Sequence, residues 1–164
     1  MNILFLCTGN SCRSILAEAT FNHLAPANKR AMSAGSQPAV EVHPRSIALL
    51  QSKGIATDGY FSKSWDNLPQ VPDIMVTVCG NAAGETCPAY IGKVMRAHWG
   101  VDDPAKATGK ETEINASFEH AYQALRKRIE AFLALPINIF NNPNELQAQL
   151  NRIGMLSQSS HMGK

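Results

Sequence analysis

Asn2-Ile3-Leu4-Phe5-Leu6-Cys7-Thr8-Gly9-Asn10-Ser11-Cys12-Arg13-Ser14 sets an apolar run, a polar turn and a helix start side by side. Asn2 to Leu6 reads as a buried strand, and Cys7-Thr8-Gly9-Asn10 as the tight loop that ends it. Beyond the loop, Ala17, Thr20, Phe21 and Leu24 fall at the i, i+3, i+4, i+7 positions of one helix face, and Pro26 marks the helix end. A strand running through a short loop into a helix is the opening of a βα repeat, and the rest of the chain continues it.

Arg30 to Ser33 reads as a second short strand. Pro44 opens a helix with Ile47 and Leu50 as its stripe, and Gly54 lies just past its end. Strands are expected at Asp73 to Val78 and Val94 to His98. The longest helix is expected from about Ser117 to Leu135, with Phe118, Ala121, Tyr122, Leu125, Ile129 and Phe132 on one face. A last helix has Asn142 as cap, Pro143 in its first turn and Gly154 as stop. Strands alternating with helices indicate parallel pairing: an α/β fold with its sheet covered by helices on both faces. A single domain over 1–154 is expected, with 155–164 a flexible tail. In such sheets ligands bind beyond the carboxyl ends of the strands, where Cys7 and Cys79 both stand.

The 164 residues are 45% hydrophobic and 17% charged, which suits a globular domain and argues against disorder. A net charge of +2, with no dense Lys/Arg cluster, gives no nucleic-acid footprint. Arg126, Lys127 and Arg128 read as one solvated helix face. No stretch approaches the roughly 18 apolar residues a bilayer span needs, and the amino terminus lacks the basic region of a signal peptide. A cytoplasmic, reducing setting is therefore expected for Cys7, Cys12, Cys79 and Cys87, in which disulfides are more often catalytic than structural.

The spacing from Cys7 to Arg13 is C-x5-R. A loop closing onto a helix amino terminus turns backbone N–H groups inward, so that Thr8, Gly9, Asn10, Ser11, Cys12, Arg13 and Ser14 make a nest for a tetrahedral oxyanion. Gly9 is expected to allow the tight turn, and Asn10 tolerates positive φ. Arg13 offers a planar fork to two oxyanion oxygens. The same N–H groups and the Arg13 charge favour the thiolate form of Cys7, and Ser14 is placed to donate a hydrogen bond to it. Asp103-Pro104 supplies a candidate general acid on a stiffened loop.

These residues resemble the low-molecular-weight tyrosine phosphatase superfamily, and its arsenate reductase branch better than its phosphatases. The resemblance runs from Asn2 to about Ile153. Its marks are CTGNSCRSILAE (Cys7 to Glu18), SAG (Ser33 to Gly35), HPRS (His43 to Ser46), TVCGNAAGETCP (Thr77 to Pro88) and AHWGVDDPA (Ala97 to Ala105). It implies a four-stranded parallel sheet flanked by helices, Cys7 as nucleophile and Arg13 as oxyanion ligand. It also implies that Asn10 and Ser33 hold the loop's shape and that Asp103 protonates a departing oxygen. The phosphatases carry tyrosines soon after the Asp-Pro pair, where this chain has Ala105-Lys106-Ala107.

A phosphatase needs one nucleophilic cysteine, and arsenate reduction gives Cys79 and Cys87 a reason. Cys79 would attack the Cys7 sulfur of a thiol-arsenate adduct, and Cys87 would then attack Cys79 and carry the disulfide outward. The segment Gly80-Asn81-Ala82-Ala83-Gly84-Glu85-Thr86 is rich in glycine and alanine and suits such a rearrangement. Thioredoxin is the electron donor the resemblance implies, with glutaredoxin and glutathione as the alternative. No cofactor, metal, nucleic acid or membrane is implied, and a monomer is expected.

The nearest rival is a phosphatase using Cys7, Arg13 and Asp103 alone. A zinc module built on the four cysteines lacks any C-x2-C pair, and a non-catalytic phosphate sensor would use the same loop. Cys12, His23, His43, His98, His120 and Trp99 read as packing or surface residues, and Tyr60, Phe61 and Trp65 as loop anchors.

Overall fold

The computed structural model describes residues 1–68, 71–79 and 94–156. Cys87 and residues 157–164 of the expected tail lie outside them. The strands are β1 (Asn2–Cys7), β2 (Arg30–Gly35), β3 (Ile74–Thr77) and β4 (Met95–His98). The helices are α1 (Arg13–Leu24), α2 (Pro44–Ser52), α3 (Glu111–Leu133) and α4 (Pro143–Ile153). The four strands form one sheet in the order β2-β1-β3-β4, and every pair is parallel.

Register explains the two-sided core. Ile3, Phe5 and Cys7 of β1 share a cluster with Ile74, Val76 and Val78, while Leu4 and Leu6 share another with Met32, Ala34 and Met75. Successive side chains of a strand face opposite ways, so strands buried on both faces need near-continuous apolar runs, as in the central β1 and β3, whereas the edge strand β4 exposes Arg96 and His98. All four helices contribute to the first cluster, where Phe5 packs against Phe21 and Trp99 at ring distances of 6.0 and 6.1 Å. Trp65, Leu68 and Val94 pack on the second.

α1 lies in the interior, and nine successive residues from Arg13 to Phe21 are buried. A helix covered all round shows no amphipathic stripe, so Ala17, Thr20 and Phe21 of the face legible in sequence mark only part of its buried surface. α3 begins at Glu111, six residues ahead of the expected Ser117. Its first turn is exposed and acidic, with no apolar period to announce it. The backbone N–H of Lys110 donates to Glu113 Oε1 at 2.7 Å, and Gly109 takes a φ of 111° just upstream. α4 starts as expected: Asn142 Oδ1 accepts from the Glu145 N–H at 3.2 Å.

Arg128 departs from the solvated face assigned to it, because it is fully buried on α3. Its guanidinium donates to the carbonyls of Trp99 at 2.7 Å, Gly100 at 3.1 Å and Leu156 at 3.1 Å. Burial pulls its pKa down to about 10. These bonds pin the chain leaving β4 and tether Leu156, just past α4. Among the described residues, no helix is long and apolar enough to cross a membrane.

Candidate active site

The order β2-β1-β3 places a topological switch between β1 and β3, since the chain leaves β1 for one neighbour and later returns to the other. Open α/β sheets bind ligands in the crevice at such a point. The loop from Cys7 to Arg13 occupies it, joining β1 directly to α1.

The carbonyls of this loop have donors from the surrounding framework. Thr8 O accepts from Gln37 N at 3.0 Å, Gly9 O from Ala39 N at 2.8 Å, and Ser11 O from His43 N at 3.1 Å. Asn10 O accepts from Ser62 Oγ at 2.7 Å, and Ser46 Oγ adds a second bond to Ser11 O at 3.2 Å. In a trans peptide the N–H of the next residue points opposite to the C=O. Carbonyls held outward at residues 8 to 11 therefore aim the N–H groups of Gly9, Asn10, Ser11 and Cys12 at the interior of the loop.

Asn10 is the strained member, with φ 50°. Gly9 has no positive φ, so the turn is made by Asn10 and not by the glycine expected to make it. The Asn10 side chain is bonded on every side. Its Nδ2 donates to Ser14 Oγ at 2.7 Å and Ser33 Oγ at 2.9 Å, and its Oδ1 accepts from Lys63 N at 2.9 Å. These bonds stabilise a left-handed conformation that costs other side chains about 1–2 kcal/mol.

Cys7 is buried, and its Sγ lies 3.0 Å from Ser14 Oγ. Ser14 Oγ already accepts from Asn10, so its single proton is free to point at sulfur. Arg13 is buried against the far wall, where Nη1 donates to Val101 O at 3.2 Å and Nη2 lies 3.5 Å from Asp103 Oδ2. Asp103 Oδ1 accepts from the Ala105 N–H at 3.0 Å, which seats its carboxyl at the start of a short 3₁₀ turn, Pro104–Lys106. The loop carrying Asp103 thus hangs between two arginines, with Arg128 holding Trp99 and Gly100 and Arg13 holding Val101 and Asp103.

Cys7, Arg13 and Asp103 line one cleft of about 570 Å³, together with Thr8 to Ser11, Ser36, Gln37 and Lys106. Tyr60 packs against the core and Trp65 against the second cluster, and neither lines this cleft. Cys12 is a free thiol, and burial pushes its pKa up to about 11, so Arg13 beside it does not activate it. His43 caps α2, its Nδ1 accepting from Arg45 N at 3.1 Å.

Cys79 follows the end of β3. Leu6 pairs with Thr77, and Val78 N donates to Leu6 O at 3.0 Å, so Cys79 is one step beyond the register of Cys7. It is 0% exposed and disulfide-bonded, whereas Cys7 is a free thiol. Its position continues the parity of Met75 and Thr77, opposite to that of Val78 and Cys7. The two cysteines are neighbours at the switch point by topology.

Four residues around the loop were not singled out as functional from sequence: Glu18, Gly35, Ser46 and Lys63. Gly35 was legible only within the SAG run. Ser46 stood only in the HPRS run and Glu18 only at the end of CTGNSCRSILAE, while Lys63 gave no pattern.

A family model described as low molecular weight phosphotyrosine protein phosphatase matches residues 2–151. Arsenate reductase of Halalkalibacterium halodurans is 40% identical over 131 residues, spanning 79% of this chain and 93% of that one. The Bacillus subtilis arsenate reductase is 37% identical over the same shares. A solved arsenate reductase from Archaeoglobus fulgidus superposes with a TM-score of 0.62 at 27% identity, covering 78% of this chain and 98% of that one. A thioredoxin-dependent arsenate reductase from Corynebacterium glutamicum gives 0.54 at 29% identity, covering 79% of this chain and 61% of that one. With its strand-loop-helix cradle and a family match across nearly all its length, the chain belongs to the low molecular weight phosphotyrosine protein phosphatase family.

Proposed function

We propose that this chain is an arsenate reductase working through a relay of Cys7, Cys79 and Cys87. The Cys7 thiolate attacks arsenic, an oxygen of arsenate departs with a proton from Asp103, and a Cys7–arsenic bond forms. The inward N–H groups and the Arg13 guanidinium hold the remaining oxygens. The Cys79 thiolate then attacks the Cys7 sulfur. The sulfur–arsenic electron pair stays with arsenic, which leaves as arsenite, and a Cys7–Cys79 disulfide remains. Attack by the Cys87 thiolate on Cys79 frees Cys7, and an external dithiol reduces the Cys79–Cys87 bond.

The burial of Cys79 carries the relay. Cys7 and Cys79 are 2% and 0% exposed, so a disulfide between them offers a protein reductant no accessible sulfur. A third cysteine is needed to bring the oxidised pair within reach. The relatives named arsenate reductase support the substrate, and the thioredoxin-dependent one supports thioredoxin as donor.

The alternative is a tyrosine phosphatase using Cys7, Arg13 and Asp103. The cleft wall beyond Asp103 is Ala105 and Lys106, which provide no aromatic slot for a phenyl ring. Arsenite production decides between them, measured with thioredoxin, thioredoxin reductase and NADPH, and again with glutaredoxin and glutathione. Turnover that collapses in Cys87→Ser is expected. Absence of turnover with both donors, beside brisk hydrolysis of a phosphotyrosine analogue, would leave the phosphatase.

A further inference from the structure

Behind the loop, away from the cleft, the buried Glu18 stands opposite the half-buried Lys63, whose ammonium also donates to the Phe61 carbonyl at 3.0 Å, a pair that the relay does not use. Glu18 of α1 and Lys63 are 9% and 12% exposed in their side chains, with Lys63 Nζ 3.9 Å from Glu18 Oε1. Glu18 is joined to the nucleophile by a chain of hydrogen bonds. Ser33 Oγ donates to Glu18 Oε1 at 2.5 Å and accepts from Asn10 Nδ2 at 2.9 Å. The same Asn10 nitrogen donates to Ser14 Oγ, which contacts Cys7 Sγ. Lys63 is also bonded to the loop through its backbone, because its N–H donates to Asn10 Oδ1 and its carbonyl accepts from Gly35 N at 3.0 Å.

A carboxylate buried at the far end of a hydrogen-bond chain that reaches Cys7 Sγ opposes a thiolate there, since like charges in a poorly solvated interior repel. Burial pushes the Glu18 carboxyl up and the Lys63 ammonium down, and their mutual attraction works against both shifts. Arg30 of β2 adds a weaker positive influence at Glu18. On the cleft side, Cys7 has Arg13, Asp103 and the protonated Cys12 around it.

We propose that Lys63 is a positioning residue for Cys7, whose ammonium offsets the Glu18 carboxylate behind the loop and so sustains the Cys7 thiolate at neutral pH. This rests on reading Cys7 as the nucleophile, but not on arsenate as its substrate.

The experiment follows alkylation of Cys7 by iodoacetamide in the reduced, full-length protein, with the modified peptide counted by mass spectrometry across a pH series. Lys63→Met is expected to slow the reaction at neutral pH by about threefold or more and move the profile to higher pH. Lys63→Met combined with Glu18→Gln is expected to return toward wild type, because the charge that Lys63 offsets is gone. Glu18→Gln alone, which keeps the bond to Ser33, is expected to move the profile to lower pH, and it tests the idea even where Lys63→Met fails to fold. An unchanged profile in Glu18→Gln overturns the proposal. So does equal slowing in Lys63→Met and the double variant. No arsenate enters the assay, so loss of the reductase reading leaves its outcome intact.

Discussion

A Cβ at Gly35 would collide with the Thr8 carbonyl oxygen and stand 3.0 Å from both the Asn10 nitrogen and the Cys7 carbonyl oxygen. All three neighbours are backbone atoms of the Cys7–Arg13 loop, so none can swing aside. The end of β2 is therefore a flat seat on which the loop rests. Gly35→Ala is expected to cost about 1–3 kcal/mol of stability through forced backbone displacement and to weaken phosphate binding at the cradle. Urea unfolding and calorimetric titration with phosphate check this, and a wild-type midpoint with wild-type affinity would refute it.

Asn10 combines a strained backbone with a side chain that bonds Ser14, Ser33 and Lys63. Asn10→Ala is expected to lose about 2–4 kcal/mol, by leaving buried hydroxyls short of a donor and placing a methyl side chain at φ 50°. Asn10→Gly loses the same bonds but not the backbone tolerance. The difference between the two variants, about 1 kcal/mol in favour of glycine, measures the strain. Equal midpoints in chemical denaturation would show that the side-chain bonds account for the whole effect.

Burial, with the Arg128 charge second, holds the His98 pKa below its ordinary 6.5. The folded state then binds fewer protons than the unfolded state near and just below that pH. The His98 contribution is complete above 6.5 and is lost as pH falls through the depressed folded value. Urea midpoints of wild type are expected to fall on acidification through this window, and those of His98→Gln to fall less. Parallel curves would remove His98 as a source of the acid sensitivity.

Arg128→Met takes the donor away from the carbonyls of Trp99, Gly100 and Leu156. At roughly 1 kcal/mol net for each buried bond, a loss of about 2–4 kcal/mol is expected. The functional expectation is sharper: arsenate turnover falls because the Asp103 loop loses one of its two anchors, while phosphate affinity at the cradle holds. Steady-state arsenite production and phosphate titration on one preparation separate the two effects.

The sheet was legible because its strands are short, apolar and punctuated, and because C-x5-R between a strand and a helix leaves little freedom of interpretation. Cys7, Arg13 and Asp103 line one cleft; C-x5-R offered the first two, whereas Asp103 came from an Asp-Pro turn and the family resemblance. What stayed hidden has physical causes. The exposed first turn of α3 has no apolar period. Arg128 is satisfied by backbone carbonyls, which carry no residue identity for a sequence to display. Glu18 and Lys63 are joined only by the folding of α1 beneath a distant loop, and a charged residue on a helix reads as solvated until its surroundings are known.

The outward-bonded carbonyls of residues 8 to 11 have a consequence for selectivity. A cradle whose shape is fixed by its own framework is complete before any anion arrives, and it measures only size, charge and tetrahedral form. Phosphate matches arsenate in all three, so affinity gives no means of telling them apart, and phosphate acts as a standing competitor for the proposed reaction. Sorting falls to the electron transfer that follows, since arsenic(V) accepts a pair of electrons from a thiol and phosphorus(V) does not. Fidelity then lies in the redox chemistry of the cysteines, and the cost of a preformed cradle is time spent holding the wrong anion.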